Sequence, residues 1–304
     1  MQIVIAAANK LISASELMLA TLRTDLVPVP VSLEFSVKAN RELEEQLKPG
    51  AEILVGDISH PLEIVLVQPV KSQTIKDDRR IGAISCIAVL SGCKKLLTHA
   101  ERAAILEQTS FNSAIRACGA KNIRLGDDLP LPEFICLKGR LPTARLALYL
   151  QQEAAVICFR GNKLSVMKLD ALFKQEAVMK LDPSEVHWLN SGQKEKLQKS
   201  SYVSVEQDGS TVIGDDTATA GQAVIQKAGL DARQLKNLEK VLLPRGVLHR
   251  SLSMHRSLSM QLSAGMLVEI NQTKYVILTA AHQVETGAVG GNVGSVTKLW
   301  LASL

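Results

Sequence analysis

The chain has 304 residues, enough for two domains with separate cores. With 46% hydrophobic and 21% charged residues, the whole length is expected to fold, which excludes a disordered chain. The net charge of +5 is modest for this length and aromatic residues make up only 3%, so a stacking platform for single-stranded nucleic acid is disfavoured.

Five cysteines, Cys86, Cys93, Cys118, Cys136 and Cys158, are odd in number, scattered and set among aliphatic residues. They read as reduced core thiols of a protein made in the cytosol. No pair has C-x-x-C spacing, which argues against zinc and redox motifs. The first residues, MQIVIAAANK, carry no basic leader, and no run approaches the ~18 apolar residues of a membrane helix, so neither export nor membrane insertion is expected.

Gln2 to Ala8 is a strand candidate, and Ser13 to Leu22 is expected to form a short helix capped by Ser13 or Ser15. From Val27 to Lys38 apolar residues alternate with Pro28, Pro30, Ser32, Glu34, Ser36 and Lys38, a half-buried strand whose prolines suit an edge or a strand start. A helical spacer, Arg41 to Leu47, leads to Pro49-Gly50, the strand Ala51 to Val55, a turn at Gly56-Asp57 and the strand Leu62 to Gln68. After the charged turn Lys76 to Arg80, Ile81 to Ser91 reads as a further strand. Residues 1–98 therefore form a first β domain.

The pattern then changes. Thr98 and Glu101 have capping-box spacing ahead of AERAAILEQ, and Ser110 caps FNSAIRACG, which predicts two successive short helices. Ile135 to Lys138 is a strand; Pro142 opens a helix from Thr143 to Glu153; and Ala155 to Phe159 and Lys163 to Leu169 form a hairpin about Arg160-Gly161-Asn162. Asp170 is expected to cap one more helical turn. This α/β insert covers residues 99–182.

The third domain covers residues 183–304. Tyr202 to Gln207 and Ser210 to Ile213 flank the hairpin signal Asp208-Gly209. A short helical insert, residues 215–243, holds two predicted helices, Thr217 to Ala228 and Asp231 to Val241. Pro244-Arg245-Gly246 then releases the chain into a long alternating run from Leu248 to Leu262. Its apolar positions are Leu248, Leu252, Met254, Leu258, Met260 and Leu262, with Arg250 and Arg256 between them. The other face carries His249, Ser251, Ser253, His255, Ser257 and Ser259. At roughly 3.3 Å per residue this run would reach about 50 Å, so it must bend or serve something larger than one small sheet.

Gly265 comes next as a turn, then the strand Met266 to Ile270, the turn Asn271 to Thr273 and the strand Lys274 to Ala280. After the glycine-rich GAVGGNVGS comes a last strand, Val296 to Ala302. LKPGAEILVGDISHPLEIVLV near the start compares with LSAGMLVEINQTKYVILT here. This is either a diverged internal duplication or chance similarity of two hairpins. With the duplication, the fold class is α+β and mainly β: two similar barrel-like β domains with a helical α/β insert.

No G-x-S-x-G, H-E-x-x-H or P-loop occurs, and GAVGGNVG lacks the strand-to-helix setting of a dinucleotide site. His282, near Glu285, is the best single candidate for acid or base work, weighed against a hydrogen-bonded strand-end histidine. Asp127-Asp128 and Asp215-Asp216 are explained by turn and capping chemistry. No catalytic, cofactor or metal residue is assigned. A hydrolase of a two-barrel fold using His282, and a nucleic-acid-binding β-barrel module, stay as alternatives to a structural protein.

Two β units with an α/β insert between them, the second closed by a turn glycine and KYVILTAAHQVE, resemble the baseplate hub proteins of contractile-tailed phages. The hub part of type VI secretion spikes is similar, and its Gly-led strand pair, Tyr-Val strand and late His fall on Gly265, Tyr275, Val276 and His282. TLRTDLVPVPVSLEF also resembles the early part of such hubs. The resemblance implies a non-enzymatic homotrimer in the virion, assembled in the host cytoplasm. It would join the sixfold tail tube protein to the threefold central spike protein, with baseplate wedge proteins as further neighbours and DNA passing through without specific binding. It further implies that Leu248, Leu252, Met254, Leu258, Met260 and Leu262 form a shared wall between subunits, with Ser251, Ser253, Ser257 and Ser259 as the possible lumen face. The chain is shorter than the larger hubs and carries no lysozyme-like segment.

Overall fold

The computed structural model describes residues 1–304 except 57, 77–78, 190–200, 206–207, 214–223, 228, 253–261 and 287–292; for 71–76, 79–81, 224 and 250–252 only the backbone is described. The first stretch holds β1 (Ile3–Ile5), β2 (Lys10–Leu11), β3 (Leu17–Asp25), β4 (Val31–Lys38), helix α1 (Arg41–Gln46), β5 (Glu52–Val55), β6 (Ile58–Lys76) and β7 (Arg79–Leu90). The middle holds β8 (Ala104–Ser110), α2 (Phe111–Ala117), β9 (Pro130–Cys136), α3 (Pro142–Gln152), β10 (Ala155–Arg160), β11 (Lys163–Lys168) and α4 (Leu169–Leu172). Then come β12 (Ala177–Leu181), β13 (Val186–Trp188), β14 (Ser201–Val205), β15 (Thr211–Ile213), β16 (Val224–Lys227) and α5 (Ala232–Glu239). The chain ends with β17 (Leu243–Leu252), β18 (Leu267–Ile270), β19 (Thr273–Thr286) and β20 (Val293–Ser303).

The protein is mainly β, and its principal feature is one sheet that has 13 strands among the described residues. Along it the order is β13, β17, β20, β19, β3, β4, β7, β6, β5, β1, β2, with β18 joined to β19 and β12. The duplication is written in this order. The neighbours β3, β4, β7, β6, β5 and β1 repeat as β13, β17, β20, β19, β18 and β12. The match reaches single hydrogen bonds. Gly50 N–H donates to Ile64 O (2.7 Å) and Ile64 N–H to Ala51 O (2.9 Å), while Gly265 N–H donates to Ile277 O and Ile277 N–H to Met266 O (both 2.8 Å). A β-bulge comes at the same point in each copy, between Ile64 and Leu66 and between Ile277 and Thr279. The copies differ at the outer strand, since β1 is antiparallel to β5 and β12 is parallel to β18.

The first unit and the middle stretch share one core, in which Leu33, Phe35 and Ile64 of the sheet belong with Phe111, Phe134 and Leu146. The second unit has its own, built on Leu248, Ile277, Leu299 and Leu301. A smaller cluster joins Leu169 and Leu172 of α4 to Leu267, Val276 and Ala302, so the insert packs on both units.

Three predicted helices are otherwise in the structure. Ser13 does make the expected local contacts, with its N–H and Oγ donating to Glu16 (3.0 and 2.8 Å), but they close a single turn. From Leu17 the chain is a strand, because β4 and β19 complete its backbone bonds on both flanks. AERAAILEQ continues into β8 against β9 instead of a helix. Of Thr217 to Ala228 the described part is strand β16, paired with β14, and the rest lies outside the described residues. In each case pairing at a distance overrides a weak local signal. Pro244-Arg245-Gly246 belongs to β17, with a bulge between Pro244 and Gly246, and is not a loop before it.

Candidate assembly site

A subunit contact is expected on the apolar side of the long strand. β17 carries Leu248 and Leu252 and the backbone of Ser251; Ser253, Met254, Ser257, Leu258, Ser259 and Met260 lie outside the described residues. Leu248 is buried beside Leu299 and Leu301 in the core of its own unit, and Leu262, after the undescribed stretch, belongs to the same cluster. The structure thus brings these two of the six positions together inside the subunit.

His282 is buried on β19 and both ring nitrogens are engaged. Nε2 lies 2.9 Å from Leu262 O, which can only accept, so Nε2 carries the proton; Nδ1 then accepts from Thr297 Oγ1 at 3.0 Å. Burial pushes its pKa below the ordinary value, and the Leu262 carbonyl opposes this in part. The ring ties the chain entering the Gly265 turn to two strands. This is a hydrogen-bonded histidine inside β19, four residues short of the strand's end, where the sequence pattern places it just past a strand. Asp128 likewise caps: its Oδ1 accepts from Asn112 N–H (2.9 Å) and Leu129 N–H (2.7 Å).

The contact with most structural consequence lies between the two units. β3 of the first pairs with β19 of the second from Leu19–Glu285 to Asp25–Thr279. Polar side chains stitch the joint: Thr279 Oγ1 donates to Asp25, Ala264 N–H to Thr24 Oγ1 (2.9 Å), and Thr286 Oγ1 to Leu17 O. Arg23 Nε sits 2.7 Å from Asp25 Oδ2. Two β units of one topology, docked edge to edge with an α/β insert over them, decide the fold class.

The fold is that of phage tail proteins. A tail protein from Neisseria meningitidis is similar over 99% of this chain and 95% of its own, at 10% identity and a TM-score of 0.65. The 43 kDa tail protein of prophage MuSo2 from Shewanella oneidensis is similar over 99% and 97%, again at 10% identity and 0.65. A chain of the Francisella PdpA–VgrG complex is similar over 99% of this chain but 57% of its own, at 10% identity and 0.55. No protein-family model and no curated protein matches the sequence.

Within this tail-protein fold, a cavity of about 400 Å³ lies where both units meet the insert, lined by Leu22, Thr24, Phe159, Arg160, Met266 and His282 among others. Arg160 braces it, donating to Gln175 Oε1 and to Gly265 O. The insert is held to the smaller β14–α5 insertion by Glu153, which is buried and accepts from both Nη atoms of Arg233 (2.8 and 3.0 Å). All five thiols are free; burial pushes the thiols of Cys86 and Cys93 up to about 12, and burial together with the neighbouring Cys136 raises that of the partly buried Cys118. Sequence reading did not single out Asp25, Thr279, Arg160 or Glu153. Their roles exist only once strands distant in the chain are paired.

Proposed function

We propose that the chain is a structural, non-enzymatic component of a phage tail or tail-like machine, acting as a baseplate hub that joins the sixfold tail tube to the threefold spike. The observation that carries this is the repeated strand order: a subunit with two equivalent β units presents six equivalent positions from three chains, which a sixfold-to-threefold adaptor needs. The likeness of fold to tail proteins and to a chain of the PdpA–VgrG complex supports it. In this reading residues 1–98 and 183–304 are the two hub domains, 99–182 the insert and 215–243 a minor one. The strand order favours extending the second hub domain back to β12. The homotrimer would meet the tail tube protein on one side, the central spike protein on the other and wedge proteins at its rim. Assembly would take place in the host cytoplasm, before incorporation into the virion.

The long strand after Gly246 would form the wall, its apolar side inward to the subunits and Ser251, Ser253, Ser257 and Ser259 toward a DNA channel. Neutral hydroxyls let a polyanion pass, where clustered lysines would hold it. Light scattering on the purified protein across concentration tests the reading. A trimer is expected; a dimer at every concentration would overturn it.

A further inference from the structure

The repeat leaves one joint unmade. In the second unit β19 is paired on both flanks: β20 runs along one, and the other is covered by β18 up to Val276 and then by β3. In the first unit β7 runs along one flank of β6 and β5 covers the other up to Glu63. Beyond that point, among the described residues, no strand pairs with this flank of β6. β13, which occupies in the second unit the place of β3, is paired to β17 on one flank and, among the described residues, to nothing on the other. We propose that these two open flanks are mates: β6 of one copy receives β13 of a second copy of this chain, repeating between subunits the β19–β3 joint made within each. The proposal deepens the ring reading given above and rests on it.

The repeat fixes the register. Ile64 matches Ile277 and the bulge comes next in both, so Gln68 and Val70 stand for Ala281 and Gln283. Through their partners on β17 and β4, His187 and Leu189 stand for Thr21 and Arg23. Since Gln283 faces Thr21 and Ala281 faces Arg23, Val70 should face His187 of the second copy, and Gln68 its Leu189.

Exposure supports the match from an independent direction. At the joint that is made, Leu22 is 2% exposed. Its counterpart Trp188 is 38% exposed, with Leu189 beside it at 41%, and on the open flank of β6 Leu66 and Val70 are 40% and 46% exposed. Large apolar side chains thus stand in the open on both edges, where the equivalent joint is covered. Pro69 shapes the contact. Ile64 bonds toward Gly50 and Ala51, and alternation past the bulge turns Val67, Pro69 and Lys71 to the open flank. Pro69 has no N–H to give, so this edge resists long strand addition and accepts a short strand at the loss of one bond. β13 has only 3 residues. The joint is head to tail, so identical contacts make a ring where the rotation between copies closes.

The test is a double variant, Val70→Cys with His187→Cys, oxidised mildly with oxidised glutathione and run on a denaturing gel without reductant. Val70 and His187 would form a non-hydrogen-bonded pair, the closest kind across antiparallel strands and within reach of a disulfide. Covalent multimers are expected from the double variant, far fewer from Val70→Cys with Leu189→Cys, and none from either single variant. Trp188→Asp should shift the mass in light scattering toward the monomer with an unchanged circular dichroism spectrum. An oligomer that forms no cross-link, or one linked only within its own chain, would overturn the joint and leave the ring reading standing. A monomer at every concentration would overturn the joint, and a dimer at every concentration would overturn the ring reading with it.

Discussion

His282 couples stability to pH through a single buried ring. Its folded pKa is lowered by burial from the ordinary 6.5, so the unfolded chain binds a proton there that the folded chain refuses. The stability that this contributes is complete above 6.5 and is lost as pH falls through the folded value. Glu16, whose pKa is held below the usual 4.5 by Ser13, acts in a lower window. Between those limits the melting temperature of the wild type should fall with pH, and His282→Gln should flatten that slope while lowering the plateau; an unchanged slope would remove His282 as its source. Glycine offers a second comparison, because the repeat supplies its own control. Gly50 and Gly265 occupy the same turn with φ of +94° and +86°. A Cβ on Gly50 would meet nothing within 4 Å, whereas one on Gly265 would lie 3.2 Å from Cys158 Cβ and 3.3 Å from Leu26 Cδ2. Gly50→Ala should therefore cost only the backbone term, about 1 kcal/mol. Gly265→Ala should cost about 1–3 kcal/mol more, since overpacking is added to it. Urea midpoints of the two variants decide this.

At the level of elements, legibility in the sequence divides by the distance over which a feature's cause acts. Ser110 and Asp231 cap α2 and α5 as read, and Asp208-Gly209 does sit between the paired β14 and β15. These signals are complete within a few residues. The hairpin likeness around Gly50 and Gly265 is also legible, and it locates the duplication without its strand order. Ser13 to Leu22 reads as a helix because its capping signal is real, but β19, far along the chain, makes Leu17 to Asp25 a strand. Leu248 reads correctly as facing an apolar side, yet alternation cannot say whether that side meets the subunit's own core or a neighbour. Glu153 and Arg233 show the same gap: each looks like an ordinary surface charge until α3 and α5 dock. Arg233→Met leaves the Glu153 carboxylate buried with, among the described residues, only the Lys168 cation near it at 3.8 Å. With Arg233 itself half-exposed, the loss should be about 1–3 kcal/mol. A double-mutant cycle with Glu153→Gln should return a coupling of the same sign, and additive effects would mean that the pair does not hold the two inserts together.

For the whole molecule, the continuous sheet argues against two units folding independently. β19 lends its first residues to β18 and the rest to β3, so opening the joint exposes backbone bonds of both units at once. The insert adds to this, since its α4 packs on the second unit while its other residues complete the first core. Unfolding of either unit therefore strips surface from the other, which is the condition for one cooperative transition. The two tryptophans make this measurable. Trp188 lies on β13 and Trp300 on β20, so fluorescence reports the second unit, whereas far-ultraviolet circular dichroism reports strands of both. At one fixed protein concentration, because assembly would itself shift the midpoint, the two probes should give coincident urea curves. A fluorescence midpoint clearly apart from the dichroism midpoint would mean that the β19–β3 joint parts before either unit melts.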